Sequence, residues 1–230
     1  MLLKMKIVDQ HGNPIDMGLL KEPQTANVGF LQREFADHPA RGLTPAKLNQ
    51  ILRNAEQGNL IEQSELAKDM EERDIHLSSE LSKRKEAGLA FSWNIKPPRD
   101  FPSAKERKQC EQTKEIIENI EDFELTQLNV KDGILKAFSC CEYEWLRIGK
   151  KVWQPKIHHR PATWFTVSPK DRNTLLLRTN QPSNELEVAA EPLQPFGWLQ
   201  HVHQSQSGYL GERGLVRVLA LPFLFNPSSG

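Results

Sequence analysis

Cysteine is scarce in this sequence. The 230 residues include three cysteines, two of them adjacent, which is not the disulfide framework of a small secreted domain. No stretch approaches the apolar length that spans a bilayer. The opening MLLKMKIVDQHG has too short an apolar run for a secretory signal and lacks a small-residue cleavage site. These absences indicate a reducing compartment and no membrane partner.

An excess of charge of one sign is also missing. Lys+Arg and Asp+Glu number 30 each, so the formal net charge is zero. Proteins that grip nucleic acid by neutralising phosphates usually carry a basic excess. Hydrophobic residues make up 38% and the mean hydropathy is −0.58. This balance favours a core with much solvated helix surface, or a subunit whose contacts are partly with copies of itself.

Sequence motifs of catalysis are absent as well. There is no Gly-x-x-x-x-Gly-Lys phosphate loop, no Gly-x-Ser-x-Gly elbow and no His-Glu-x-x-His helix. Cys140 and Cys141 adjoin on a predicted strand and so face opposite sides. His201 and His203 share a strand face, but no ligand follows them at metal-site spacing. The sequence therefore predicts no cofactor.

Residues 43–98 begin with two predicted helices. Thr44 and Pro45 form a helix start, because the hydroxyl caps a free amide and proline has no amide to satisfy. Gly58 ends that helix. We expect one long second helix over residues 59–87, with a stripe of apolar side chains at helical spacing: Leu66, Met70, Leu77 and Leu81.

A strand is predicted directly after the long helix, over residues 90–96. Phe91, Trp93 and Ile95 alternate and would share one face of it. The following pair of prolines would end the strand, because proline cannot donate to a ladder.

The rest of the chain is predicted to change from helix to strand. Ser103 with Glu106 three residues on forms a capping box for one helix, and a further helix covers 121–138. Strands then dominate, with a hairpin turn at 149–150, and Pro155 marks an edge or a bulge. A last, strongly apolar helix contains Pro222, which is compatible only with a kink or the first turn.

These elements predict an α+β fold, with a helical part followed by an antiparallel β-rich part. We divide it into an arm (1–42), a helical core with one strand (43–138), a β-rich part (139–211) and the start of an apolar helix (212–230). Two interpretations of the arm are open: a peripheral segment packed on its own chain, or a clasp on a neighbouring subunit.

Several segments carry a family resemblance. DMEERDIHLSSELSKRKEAGLAFSWNIKPP, the capped LTPAKLNQILRNAEQGN helix before it, ILKAFSCCEYEW and HVHQSQSGYLGERGLVRVLALPFLFN resemble the portal proteins of Mu-like phages, from about residue 43 to 226. The family usually has glycine where this chain has Ala137. If the backbone there needs a positive φ, alanine is strained.

The resemblance implies a function in the virion. Such a portal, or head–tail connector, is a ring subunit through which viral DNA is packaged and ejected. The implied partners are copies of itself in a dodecameric ring, the terminase, the major capsid protein, the tail adaptor and transient double-stranded DNA. The implied location is the portal vertex, with the host cytoplasm during assembly. Since family members continue into channel helices, we expect an N-terminal, truncated portion that does not alone form a stable full ring.

Two groups of residues are candidate sites. Glu72, His76 and Glu80 fall at i, i+4 and i+8, a spacing that suits a metal in a helical bundle but equally a solvated charged face.

A cluster of cations is the second candidate. Lys83, Arg84 and Lys85 suit the negative end of a helix dipole or, alternatively, a DNA contact. Arg73 suits either an ion-paired structural role or a subunit interface. All four are candidate interface or DNA-proximal residues. We expect assembly rather than catalysis. The alternatives are a metal-dependent nuclease or hydrolase, and a folded prophage remnant without function.

Overall fold

The structure, a computed structural model, describes Gly18 and residues 22–27, 41–148, 152–179 and 189–225. Helices fill the first half and antiparallel strands the second, which confirms the α+β class. The helices are α1 Pro45–Glu56, α2 Ile61–Arg73, α3 Ile75–Ala87, α4 Ala104–Glu118, α5 Phe123–Val130, α6 Gly133–Lys136 and α7 Val216–Leu224. The strands are β1 Phe138–Ile148, β2 Val152–Arg160, β3 Phe165–Val167, β4 Leu175–Arg178, β5 Ala190–Pro192 and β6 Trp198–Val202.

The predicted helix starts are confirmed where local chemistry defines them. The Thr44 hydroxyl accepts from the amide of Lys47 at 3.2 Å, with Pro45 as the first residue of α1. Gly58 follows the helix at a φ of +111°, a conformation that glycine adopts without steric cost. Ser103 and Glu106 form the reciprocal capping box of α4.

The single helix predicted over 59–87 is wrong, because it is divided into α2 and α3 at Asp74. This residue is extended, with φ −95° and ψ 99°. Its carboxylate accepts from the amide of Leu77 at 3.0 Å, so it caps α3 while ending α2. Aspartate competes for backbone amides and therefore favours a cap over a helix interior.

The strand predicted over 90–96 is also wrong. These residues have no regular secondary structure, and no described segment pairs with them. Trp93 instead packs edge-to-face on Phe123, with ring centroids 5.8 Å apart. An alternating pattern needs a ladder partner to become a strand, and the sequence could not indicate whether one exists.

The helix predicted over 121–138 is replaced by short α5 and α6. Beyond them the predicted strands are confirmed as two three-stranded antiparallel sheets, ordered β2-β1-β6 and β3-β4-β5. The β1–β2 hairpin closes at Ile148 opposite Val152, so its predicted turn lies outside the described residues. Pro155 stands on β2, an edge strand, as predicted.

Two clusters of buried side chains hold the fold together. One joins the two sheets and includes Phe138, Phe165 and Trp198, whose rings meet edge-to-face. The other joins α1, α2, α3 and α7 around Leu66 and Met70. Helix α7 forms as predicted, although Pro222 lies in its last turn rather than its first. In the described part of the chain, no helix is both long enough and apolar enough to cross a bilayer.

Candidate functional site

The three predicted cations at the end of α3 point in different directions. Lys83 is exposed and pairs with Glu80 at 2.6 Å. Arg84 is exposed. The Lys85 side chain is only 16% exposed and contacts Glu71 at 2.8 Å. The cluster is therefore two surface cations beside one inward-facing lysine.

Lys85 belongs to an ion network that fastens α3 to α6. Its ammonium lies 3.2 Å from the Asp132 carboxylate, which Lys136 also contacts at 2.5 Å. Burial opposes both charges, but the partners outweigh it: the pKa of Lys85 is raised and the pKa of Asp132 is lowered. Lys131 donates to the carbonyl of Lys85 at 2.6 Å, which satisfies an orphan carbonyl at the end of α3.

Arg73 is the exposed last residue of α2. Among the residues that the structure places, no carboxylate lies within ion-pair distance of it, so the ion-paired interpretation has no support. A role at a subunit interface stays a prediction.

The division at Asp74 removes the basis of the proposed metal site. Glu72 is on α2 and pairs with Lys68 at 3.8 Å, whereas His76 and Glu80 are on α3. The spacing argument assumed one continuous helix. Within the described ranges, no three His, Cys, Asp or Glu side chains are grouped as metal ligands.

The adjacent thiols are buried in β1 rather than poised for chemistry. Burial raises the pKa of Cys141 to about 11 and that of Cys140 further, and a thiol rather than a thiolate is a poor nucleophile.

A long apolar groove runs between α3 and α7. It has a volume of about 800 Å³. Charged and polar side chains, including His76, Glu80, Lys83 and Arg84, stand along it. Its apolar lining comes from Met70, Leu77, Leu81, Leu215, Leu219, Pro222 and Phe223. On α7, Val218 and Leu221 are more than half exposed.

Helix α4 presents the second unusual surface. None of its fifteen residues is buried. Its apolar side chains Ile116 and Ile117 are only half-buried. A groove of about 620 Å³ lies between its last turn, the 89–93 segment and Phe123. Because its own chain buries none of its side chains in the described part of the structure, the surface of α4 is available to another molecule.

Sequence reasoning missed Gln24, which docks the described part of the arm onto the sheets. Its buried amide makes four hydrogen bonds. The nitrogen donates to Glu191 at 2.7 Å and to the carbonyl of Pro192 at 3.0 Å. The oxygen accepts from the amide of Gln194 and from the indole of Trp198, both at 2.9 Å. No local pattern marks a residue whose partners are so distant in sequence.

Thr25 adds a second attachment of the same segment. Its amide and hydroxyl donate to the buried carboxylate of Glu142 at 3.0 and 2.6 Å. Arg160 pairs with that carboxylate at 2.8 Å. Residues 22–27 therefore pack on their own chain, which agrees with the first of the two interpretations of the arm.

Comparison with known proteins gives consistent results. A family model described as the portal protein of Mu bacteriophage matches residues 64–228. The Mu-like prophage FluMu protein gp29 of Haemophilus influenzae is 42% identical over 226 residues, which cover 97% of this chain and 42% of that protein. The portal protein of Escherichia phage Mu is 40% identical over 220 residues, covering 96% of this chain and 42% of that protein. The chain thus spans about two fifths of the length of these relatives.

Proposed function

This chain belongs to the family of Mu phage portal proteins, and on that premise we propose that it is part of a ring subunit through which viral DNA is packaged and ejected. The identity of 40–42% over nearly the whole chain carries the proposal. The proposed location is the portal vertex of the head, with the host cytoplasm as the place of assembly.

The surface of the chain supports an assembly role. A closed ring needs two different complementary surfaces on each subunit, since its contacts run head to tail. The groove between α3 and α7 and the unburied helix α4 offer surfaces on different elements for contacts of this kind. We propose copies of this chain as the partners there, and terminase, major capsid protein, tail adaptor and transient double-stranded DNA as partners of the complete ring.

The charge balance suits a DNA passage rather than a DNA clamp. A net charge of zero limits the number of phosphates that the chain can neutralise at once, and tight binding would stall translocation. Lys83 and Arg84 remain proposed DNA-proximal residues, because both are exposed. Lys85 is less suited to this role, since Glu71 and Asp132 already occupy its ammonium.

An enzymatic function is not favoured. The nuclease or hydrolase alternative rested on Glu72, His76 and Glu80, which lie on two helices with ion-pair partners for both carboxylates. A nuclease assay with Mg²⁺ or Mn²⁺ tests it directly. Metal-dependent cleavage of DNA that is lost in Glu80→Ala would overturn the structural role.

A chimera tests the portal function itself. The chain replaces the matching segment of the Mu phage portal, and rings and DNA-filled heads are counted by electron microscopy. We expect both to form. The same chimera carrying Leu135→Asp, which places a charge at a fully buried position, is the control and should give neither. A soluble chimera, expressed at the level of the parent portal, that forms no rings would refute the proposal and favour a remnant without function.

A further inference from the structure

Helix α4 carries its charges in an order that its own dipole disfavours. Lys105, Arg107 and Lys108 are exposed near its N-terminus, whereas Glu115 and Glu118 are exposed in its last turn. A helix dipole favours acidic residues at the N-terminus and basic ones at the C-terminus. Apart from the Glu106 capping box, this distribution does not stabilise α4, whereas it suits a partner with the opposite arrangement of charge.

The two ends of α4 also differ in shape. The N-terminal end has a protruding aromatic ring, since Phe101, just before the Ser103 cap, is 92% exposed. The C-terminal end has a recess, the 620 Å³ groove, which is lined by Trp93, Ile117 and Phe123. We call the first surface the basic tip (Phe101, Lys105, Arg107 and Lys108).

The second surface is called the acidic groove. It consists of the recess together with the exposed carboxylates of Glu118, Glu121 and Glu124. Lys114 also lines the recess but pairs with Glu118 at 3.6 Å. The acidic groove therefore has the charge opposite to the tip, and a recess with the apolar side chains of Trp93, Ile117 and Phe123 in its lining where the tip has a protruding ring.

One molecule cannot bring these two surfaces together. A fifteen-residue helix is about 22 Å long, and the tip and the groove lie at its opposite ends. A second copy can supply what each surface lacks. Because the surfaces differ, every contact leaves a free tip on one copy and a free groove on the other, which is the head-to-tail arrangement that builds rings or open chains.

We propose that the basic tip of one copy docks into the acidic groove of the next, with Phe101 in the recess and the lysines and arginine of the tip against the carboxylates. This proposal rests on the proposed ring function and specifies one contact of it. Phe101 is the central anchor, since aromatic side chains in pockets dominate binding energy. The surrounding charges supply orientation and rate more than affinity.

Matched charge reversals of the intact 230-residue chain test the contact by sedimentation velocity. The tip variant combines Lys105→Glu, Arg107→Glu and Lys108→Glu. The groove variant combines Glu118→Lys, Glu121→Lys and Glu124→Lys. None of these side chains is buried, so melting curves should stay close to that of the parent chain. The parent should form species larger than dimers at low salt, and fewer at high salt.

Each variant alone should stay monomeric, because its two surfaces then have the same sign, and an equimolar mixture should associate again. Phe101→Ala should raise the apparent dissociation constant about tenfold. Ile75→Ala is the matched control, since Ile75 is 85% exposed but lies outside both surfaces, and it should change nothing.

Three results would overturn the proposal: association that stops at dimers, association that neither reversal weakens, or no self-association of the parent chain at any salt concentration. The chimera experiment separates these results from the portal function. Rings that form in the chimera carrying either reversal alone would leave the ring intact and remove only this contact.

Discussion

Gln24 offers a sharp test of how the arm is held. Gln24→Leu keeps the size of the side chain but removes all four hydrogen bonds. The indole of Trp198 and the amide of Gln194 then lose their acceptor. An unsatisfied buried donor costs about 1–3 kcal/mol, so we expect the free energy of unfolding to fall by about 3 kcal/mol. For a domain of this size that lowers the melting temperature by about 6–12 °C.

The assay is urea unfolding followed by tryptophan fluorescence. Gln112→Leu, at an exposed glutamine on α4, is the control and should change stability by less than about 0.5 kcal/mol. A double-mutant cycle with Trp198→Phe isolates the bond between the amide oxygen and the indole, and should give a coupling of about 1 kcal/mol. A loss below about 1 kcal/mol for Gln24→Leu, with no coupling to Trp198, would refute the argument that this side chain docks the arm.

Three further predictions concern single positions. Ala137 has a φ of 80°, so Ala137→Gly should raise the free energy of unfolding by about 1 kcal/mol. The substitution relieves backbone strain of about 2 kcal/mol, which exceeds the cost of about 1 kcal/mol from the greater conformational entropy of glycine in the unfolded chain. A lower stability in urea would contradict this. Asp74→Ala should lower the free energy of unfolding, measured by urea titration, by about 1 kcal/mol. Asp74→Ser should lower it much less, since a serine side chain can also cap the helix. Equal losses for the two variants would argue against the cap. The pKa of Asp132 is lowered in the folded chain. The stability that this carboxylate contributes is therefore complete above the ordinary aspartate pKa of about 4 and is lost as the pH falls through the folded-state pKa. Asp132→Asn should make the free energy of unfolding depend less on pH in the acid range, and an unchanged dependence would rule out this contribution.

The features that sequence predicted correctly depend on neighbours along the chain. Thr44 and Ser103 cap helices whose amides lie three residues away. The positive φ at Ala137 could be expected once the family resemblance placed glycine there. Pro155 indicated an edge strand, because proline has no backbone N–H to donate to a second neighbouring strand.

The features that sequence could not predict depend on distant partners. The pattern of Phe91, Trp93 and Ile95 suits a strand, yet nothing local shows whether another strand is available to pair with it. In the sequence, Lys85 is indistinguishable from the two cations before it. Only the structure shows its contact with Asp132, which is 47 residues away. Candidate surfaces could not be predicted for the same reason. Whether α4 is exposed depends on whether distant parts of the chain pack against it, which the local sequence does not show.

The attachment of Gln24 to Trp198 also sets an order of events during synthesis. The two residues are 174 positions apart. At about 5–20 residues per second, roughly 10–35 s pass on the ribosome between them. During that interval the side-chain oxygen of Gln24 lacks the indole N–H that donates to it in the folded chain. The docking of residues 22–27 onto the sheets therefore waits until residue 198 has been made, and a chaperone that shields this segment would have time to act.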